Sequence, residues 1–404
     1  MTLSKRIKET FEEQQGIFRL APVFVPRRFS KAGHRLKLHP NDYYALGVQR
    51  GAIKERWLSS VIPAMNGPLA AVDEGMSYVV SMQGAEEKFL LKDAISELGD
   101  ALIGKELMKQ YGTWPMYSKF FDYEDALFHH LHLDFQSAAR VGRLGKPEAY
   151  YYPFQMNNYS GSFPHTYFGF DPGVNKEEIK KRLEEYTKGD IRITELSRAY
   201  RIELGTGWYT PPGVIHAPGS YLTYEPQWNS DVNSVFENIA SGEVYNYNFL
   251  TENCPADKKT DLDYVISLLD WEKNTDPLYK KRFFRPPVIA SESDAYCEKW
   301  IVYGNSYIAA KEITVFPGKT VIIRDPAAYG CIFIQGQGRF GNYQAQTPTL
   351  LRFGQLSADE YFVSEDAAKK GVTIVNESEY EPIVILKHFA NNHPDTPQMP
   401  QEVE

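Results

Sequence analysis

From residue 114 onward the chain is written in short apolar or alternating runs cut by Gly and Pro. SKFFDY, ALFHHLHLDF, EAYYYPF and TYFGF come first, then AYRIEL and GWYTPPGVIHA. WIVYG, KEITVF, KTVIIRD, YGCIFIQG, LLRFG, GVTIVN and PIVILKHF follow in the C-terminal third. Runs of this length and spacing predict strands joined by turns, the pattern of a sandwich or barrel. An aromatic content of 14% leans the same way. Helical patterns interrupt the series. Residues 4–18 carry an i, i+4 stripe through Ile7 and Phe11. Residues 51–112 hold helical patterns, the best over 92–112 through Ile95, Leu98, Leu102, Leu107 and Met108. Residues 174–186 begin with Asn175 and have Glu178 three positions later, a capping-box spacing. A further helix is predicted over 260–274. The basic KKRFFRPP stretch (280–287) reads as a linker, and the polar, Pro-rich end as a frayed tail. The expected division is 1–250, a helical segment and linker over 251–287, a second β module over 288–390, and a flexible tail over 391–404.

The charge balance narrows the partners. Forty-four Lys and Arg against 52 Asp and Glu give a formal net charge of −8. A mildly acidic chain is a poor match for nucleic acid or an anionic membrane. Cys254, Cys297 and Cys331 lie far apart and are odd in number, so buried free thiols are expected rather than a disulfide framework or a CxxC metal site. The segment MTLSKRIKETFEEQQGIF alternates charges and lacks an apolar signal-peptide core, and no stretch approaches a membrane span. The expected location is the cytoplasm. The oligomeric state is not legible.

Three of the nine histidines fall within four residues, His129, His130 and His132. In a strand His130 and His132 share one face, about 6–7 Å apart along the chain, and His129 takes the other. An HxH pair alone is more often two histidines hydrogen-bonded within a sheet than a metal site. Its surroundings shift that balance. Glu148 enters the Tyr-rich run EAYYY, where a carboxylate is costly to bury unless it is salt-bridged or metal-bound. A rigid Pro-Pro-Gly turn then precedes His216 and places it to reach the same face. Three His and one Glu suit a divalent site with one side open.

The order HxH, E, PxGxxH resembles the metal site of the cupins. More narrowly, residues 112–238 are similar to class I mannose-6-phosphate isomerases: WPMYSKFFDYEDALFHHLHLD, GKPEAYYY, PPGVIHAPG and NSDVNSVFEN follow that family's motifs in order. The likeness extends to the YFGFDPGV-helix segment. It implies two cupin-type jelly-roll barrels, mainly β with helical insertions, the first catalytic and the second degenerate and metal-free. It implies one divalent ion, zinc foremost, on His130, His132, Glu148 and His216, with His130 where the family has Gln. Lys119, Lys146 and Asp231 fall on family positions in the substrate half and are the candidate catalytic groups. Taken singly, the two lysines are also ordinary surface residues and Asp231 a turn residue. The family's Arg, Tyr and Ser fall on Val235, Pro218 and Phe128.

The activity implied is metal-dependent aldose–ketose isomerisation of a sugar or sugar phosphate. Tyr150, Tyr151 and Trp208 are placed to stack on the sugar, and Arg140 and Arg143 are read equally as a replacement for the lost positive charge or as solvated residues. With Arg and Ser gone, mannose 6-phosphate is expected to be a poor substrate. Two other readings stand beside this one: a non-catalytic metal-containing sugar-binding cupin, and an oxygenase with a 3-His/1-Glu metal. The GQGRFG stretch (336–341) matches GxGxxG, but strand and turn follow it rather than a helix, so a hairpin is expected there and no nucleotide.

Overall fold

The computed structural model describes residues 2–81 and 84–399. Two β modules stand side by side. In the first, a seven-stranded antiparallel sheet runs in the order Phe284–Arg285, Gly207–Thr210, Glu148–Tyr151, Thr223–Trp228, Met116–Phe121, Ala52–Leu58, Val23–Arg27. A five-stranded sheet completes it: Ser197–Arg201, His165–Phe170, His216–Ala217, His130–Leu131, Ser234–Val235. The second module pairs a seven-stranded sheet with a four-stranded one. The chain is therefore mainly β, as the strand-like runs predict, with the two jelly-roll modules and helical insertions that the resemblance implies.

The seam between the modules is apolar. Leu58, Phe120 and Tyr224 of the first meet Val302, Ile332, Phe362 and Leu386 of the second in one buried cluster. Arg56 crosses it, donating to Asp359 at 2.8 and 2.9 Å and to Glu360 at 3.2 Å, all buried.

Several expectations need correction. Residues 52–58 form a strand, not a helix, and 78–81 with 84–90 form a hairpin. Lys54, Glu55 and Arg56 of that strand are all buried and partnered, so tertiary pairing overrides the helical pattern expected there. The 92–112 helix is broken into Leu91–Leu98, Asp100–Ile103 and Lys105–Tyr111, because Gly99 and Gly104 adopt φ of +49° and +86°. The 260–274 helix is two short ones, Leu262–Ser267 and Trp271–Asn274, each capped by an Asp. Residues 280–287 are not a linker: Tyr279–Phe283 is helical, and Phe284–Arg285 joins the first module's sheet beside Gly207–Thr210. Ile17–Arg19 pairs with Glu360–Val363 of the second module. In the tail, residues 391–399 are packed: His393 sits 4.8 Å from the rings of both Trp300 and Phe389, and Pro397 O accepts from Gly304 N. Residues 400–404 lie outside the described residues.

Other expectations match. Asn175 Oδ1 accepts from Glu178 N at 3.0 Å and starts the Lys176–Glu184 helix. GQGRFG is a turn and hairpin between strands ending at Gln335 and beginning at Tyr343, with Gly336 and Gly341 at positive φ. The three cysteines are free, Cys254 and Cys331 buried as expected and Cys297 only half-buried. Among the described residues no helix is long and apolar enough to cross a membrane.

Candidate metal centre and cavity

Two neighbouring strands deliver the histidines. His216 lies opposite His130 in the antiparallel ladder, and His132 follows two residues on, so strand alternation puts all three imidazoles on one inward face. Their ring nitrogens lie within 4.8 Å of one another, and all three residues are buried. His129, on the opposite face, is bonded instead to Glu237 at 2.7 Å. The Pro-Pro-Gly turn before His216 is fixed by Gly213, at φ +82°, whose N–H donates to His132 O.

Each of the three rings spends Nδ1 on a backbone carbonyl: His130 on Phe128 O at 3.0 Å, His132 on Val232 O at 2.7 Å, His216 on Val214 O at 2.9 Å. A ring that donates from Nδ1 presents a lone pair at Nε2 when neutral. Burial keeps two of them neutral: it holds His132 down to about 4, against the pull of Glu148, and His130 well below the ordinary histidine value. Those lone pairs meet a carboxylate. His132 Nε2 is 3.1 Å from one oxygen of Glu148, and His216 Nε2 is 3.1 Å from the other. Acceptor therefore faces acceptor: Lys146 answers the Glu148 oxygen that faces His132, while the other Glu148 oxygen and His216 Nε2 lack a hydrogen-bond donor. Burial pushes the Glu148 carboxyl up, but His132 and Lys146 outweigh it and keep it ionised. Orphaned acceptors of this kind fit a divalent cation, and the N₃O donor set suits zinc. The carbonyls on Nδ1 fix tautomer and ring orientation.

The cradle opens into a cavity of about 640 Å³. Along one wall runs a chain of alternating charge. Lys146 Nζ is 2.8 Å from Glu148, donates to His132 Nε2 at 3.1 Å, and lies 3.4 Å from Glu225. Glu225 is held at 3.1 Å by Lys119, its cross-strand partner. Lys119 reaches Glu55 at 4.0 Å, and Arg27 bonds Glu55 and Asp231, each at 3.0 Å. Burial and the neighbouring Glu148 push Glu225 up to about 8, against Lys119 and Lys146. Burial also raises Asp231 and Glu55, but Arg27 outweighs it in both. Glu55 comes down to about 2, and Asp231 well below the usual carboxylate range.

All seven site residues anticipated from sequence thus meet in one place. His130, His132, Lys119, Lys146 and Asp231 line the cavity, and Glu148 and His216 close the back of the cradle. Asp231 is unsuited to take up a proton, since Arg27 and the Met65 N–H, at 2.8 Å, hold it ionised. Of the three aromatics expected to stack on a sugar, only Tyr150 lines the cavity. Tyr151 turns to the seam and donates to Glu312 at 2.7 Å, and Trp208 is buried against Phe168. Arg140 and Arg143 are exposed on a loop away from the cavity. The sequence reading missed Arg27, Glu55 and Glu225. Their one signal is a charged residue inside a run otherwise fit for a buried strand, VFVPR, AIKERWL and TYEPQW.

No protein-family model and no curated protein matches the chain. Solved structures do. A putative mannosephosphate isomerase from Archaeoglobus fulgidus superposes with a TM-score of 0.61 at 16% identity over 93% of this chain and 97% of that one. A mutant phosphomannose isomerase from Salmonella typhimurium gives 0.62 at 11% identity, covering 93% and 100%. A zinc-bound mannose 6-phosphate isomerase gives 0.61 at 11%, covering 93% and 99%. The chain has the two-barrel cupin fold of the type I mannose-6-phosphate isomerases.

Proposed function

We propose that this protein is a metal-dependent aldose–ketose isomerase acting on a sugar or sugar phosphate. One observation carries the reading. A buried set of three imidazoles and one carboxylate, with the Lys146 ammonium beside it, forms the floor of a cavity whose wall holds Glu225, a carboxyl pushed up to about 8. The isomerase neighbours share the whole architecture.

His130, His132, Glu148 and His216 would hold the ion, which when bound supplies Lewis-acid polarisation of the sugar's C1 and C2 oxygens. The chain's own groups then carry the protons. Glu225, as the carboxylate, takes the proton from C2 and returns it to C1. A second proton moves from the C2 oxygen to the C1 oxygen, so the aldehyde becomes an alcohol and the C2 alcohol a ketone. A base that titrates near the working pH suits both halves of that cycle. Lys119 is a positioning residue: burial lowers it, but Glu225 and Glu55 outweigh that and keep it charged beneath the Glu225 carboxyl. Lys146 holds Glu148 and His132 in place and presents an ammonium beside Glu225. Tyr150 packs edge-on to His216 and helps exclude water.

The test is metal analysis together with deuterium exchange at C1 and C2, followed by proton NMR. One divalent ion per chain and metal-dependent exchange on an aldose–ketose pair uphold the reading. A full complement of zinc with no exchange on any sugar favours the non-catalytic binding protein. Bound iron with dioxygen uptake favours the oxygenase.

A further inference from the structure

The substrate half of the cavity has two unlike walls. On the polar wall each buried cation is matched even with Glu148 left to the metal: Arg27 to Glu55 and Asp231 at 3.0 Å, Lys119 to Glu225 at 3.1 Å, Lys146 to Glu225 at 3.4 Å, and Arg50 to Glu74 at 2.6 Å. Four carboxylates thus answer four cations. Glu243, also on the cavity, adds a further acid that accepts from Ser30 N and Tyr245 OH. The opposite wall is apolar. Phe29, Phe128, Pro218, Val235, Tyr245 and Phe249 line it, with Phe128 5.2 Å from the ring of Phe29 and 4.8 Å from that of Tyr245. Among the described residues, Arg28 is the one cation lining the cavity for which no ion pair is recorded, and it is exposed.

From these walls we infer that the sugar this cavity takes is uncharged: a free aldose or ketose, not a sugar phosphate. The inference rests on the isomerase reading above and narrows its substrate class. A phosphate dianion sheds strongly bound water on entry and needs several charge-assisted donors in return. Here the buried donors are committed to carboxylates, and drawing one away strands a buried acid. A single exposed guanidinium at the rim is screened by solvent and replaces little of that. A neutral polyol meets no such obstacle. Its hydroxyls donate to the carboxylate oxygens of the polar wall, and its C–H face lies against Phe128 and Tyr245. The neighbours named for mannose 6-phosphate share the fold at 11–16% identity, which leaves the substrate wall free to differ.

The experiment uses the metal-loaded full chain with free mannose, glucose and fructose and their 6-phosphates. Deuterium exchange gives kcat/KM, and the shift in melting temperature with each sugar gives binding. The expected result is exchange on at least one free sugar, with kcat/KM about tenfold or more above that of its 6-phosphate, and no inhibition by millimolar inorganic phosphate. A preference for the 6-phosphate overturns the inference and leaves the isomerase reading intact. If Arg28→Ala then abolishes that preference, Arg28 is the anion handle. A melting shift with free sugars only, without exchange, upholds the uncharged-ligand inference and overturns the isomerase reading. No shift and no exchange with any member of the panel overturns both.

Discussion

Replacing His216 by Ala separates a metal ligand from an ordinary core histidine. The side chain is fully buried, donates from Nδ1 to Val214 O at 2.9 Å, and turns Nε2 to Glu148 at 3.1 Å. Its ring lies 4.2 Å from that of His130 and 6.4 Å from that of Phe168. His216→Ala leaves the Val214 carbonyl buried without its donor, a cost of about 1–3 kcal/mol. It also opens a ring-sized void, by analogy with large-to-small core changes about 2–3 kcal/mol. Against these, one acceptor facing Glu148 disappears, which offsets part of the loss. The metal-free protein should therefore be destabilised by about 2–4 kcal/mol. In the loaded protein a second loss is added. An ion present at a hundredfold over its Kd stabilises the native state by about 2.7 kcal/mol, and a variant that no longer holds it forgoes that. Denaturant unfolding with and without a chelator reads both numbers, and metal content per chain reads the site directly. His129→Ala is the control, since His129 bonds Glu237 on the other face and should keep its ion. Full metal retention in His216→Ala, or an identical destabilisation with and without chelator, would refute the ligand assignment.

Three further outcomes are expected. Glu225→Gln should keep fold and metal, because the amide oxygen still accepts from Lys119 and Lys146. It should lower kcat about 10²–10⁴-fold, measured by deuterium exchange; a loss under threefold assigns the proton transfer elsewhere. On acidification the ion should survive at pH 5 and leave as the pH falls through about 4, because burial holds His132 at about 4 and His130 well below the ordinary histidine value. In the metal-free protein the same depressed values mean that the unfolded chain, near 6.5, binds protons first, so stability should fall between about pH 6.5 and 4. Metal content and urea midpoints across that range check both, and release near pH 6.5 refutes the buried neutral cradle. Arg56→Ala strands the buried carboxylates Asp359 and Glu360 at the seam between modules and should cost about 3–5 kcal/mol without loss of metal. A urea midpoint shift worth under about 1 kcal/mol argues that the seam does not depend on this pair.

Much of this molecule is written locally. The period-2 runs after residue 114 determine a β protein, because alternation commits one face of each strand to a core whatever it packs against. The HxH spacing determines that His130 and His132 share a face, and the Pro-Pro-Gly turn fixes where the next strand begins. Asn175 and the turn glycines act through their immediate neighbours and are legible for the same reason. What sequence patterns misread depends on partners far away in the chain. Residues 52–58 read as part of a helical stretch until Arg27, Asp359 and Glu360 are brought to Lys54, Glu55 and Arg56 from up to 304 positions away. Residues 280–287 read as a linker until Gly207 and Trp208 offer a strand edge for Phe284–Arg285. Arg140 and Arg143 lie close in sequence to the ligands yet point to solvent, and Trp208 is buried behind the site. The Glu225–Lys119 pair exists only because two strands 106 positions apart lie in register. Local propensity sets which backbone forms and which face a side chain takes. Long-range pairing decides which charges are neutralised, and with it which side chains remain to act.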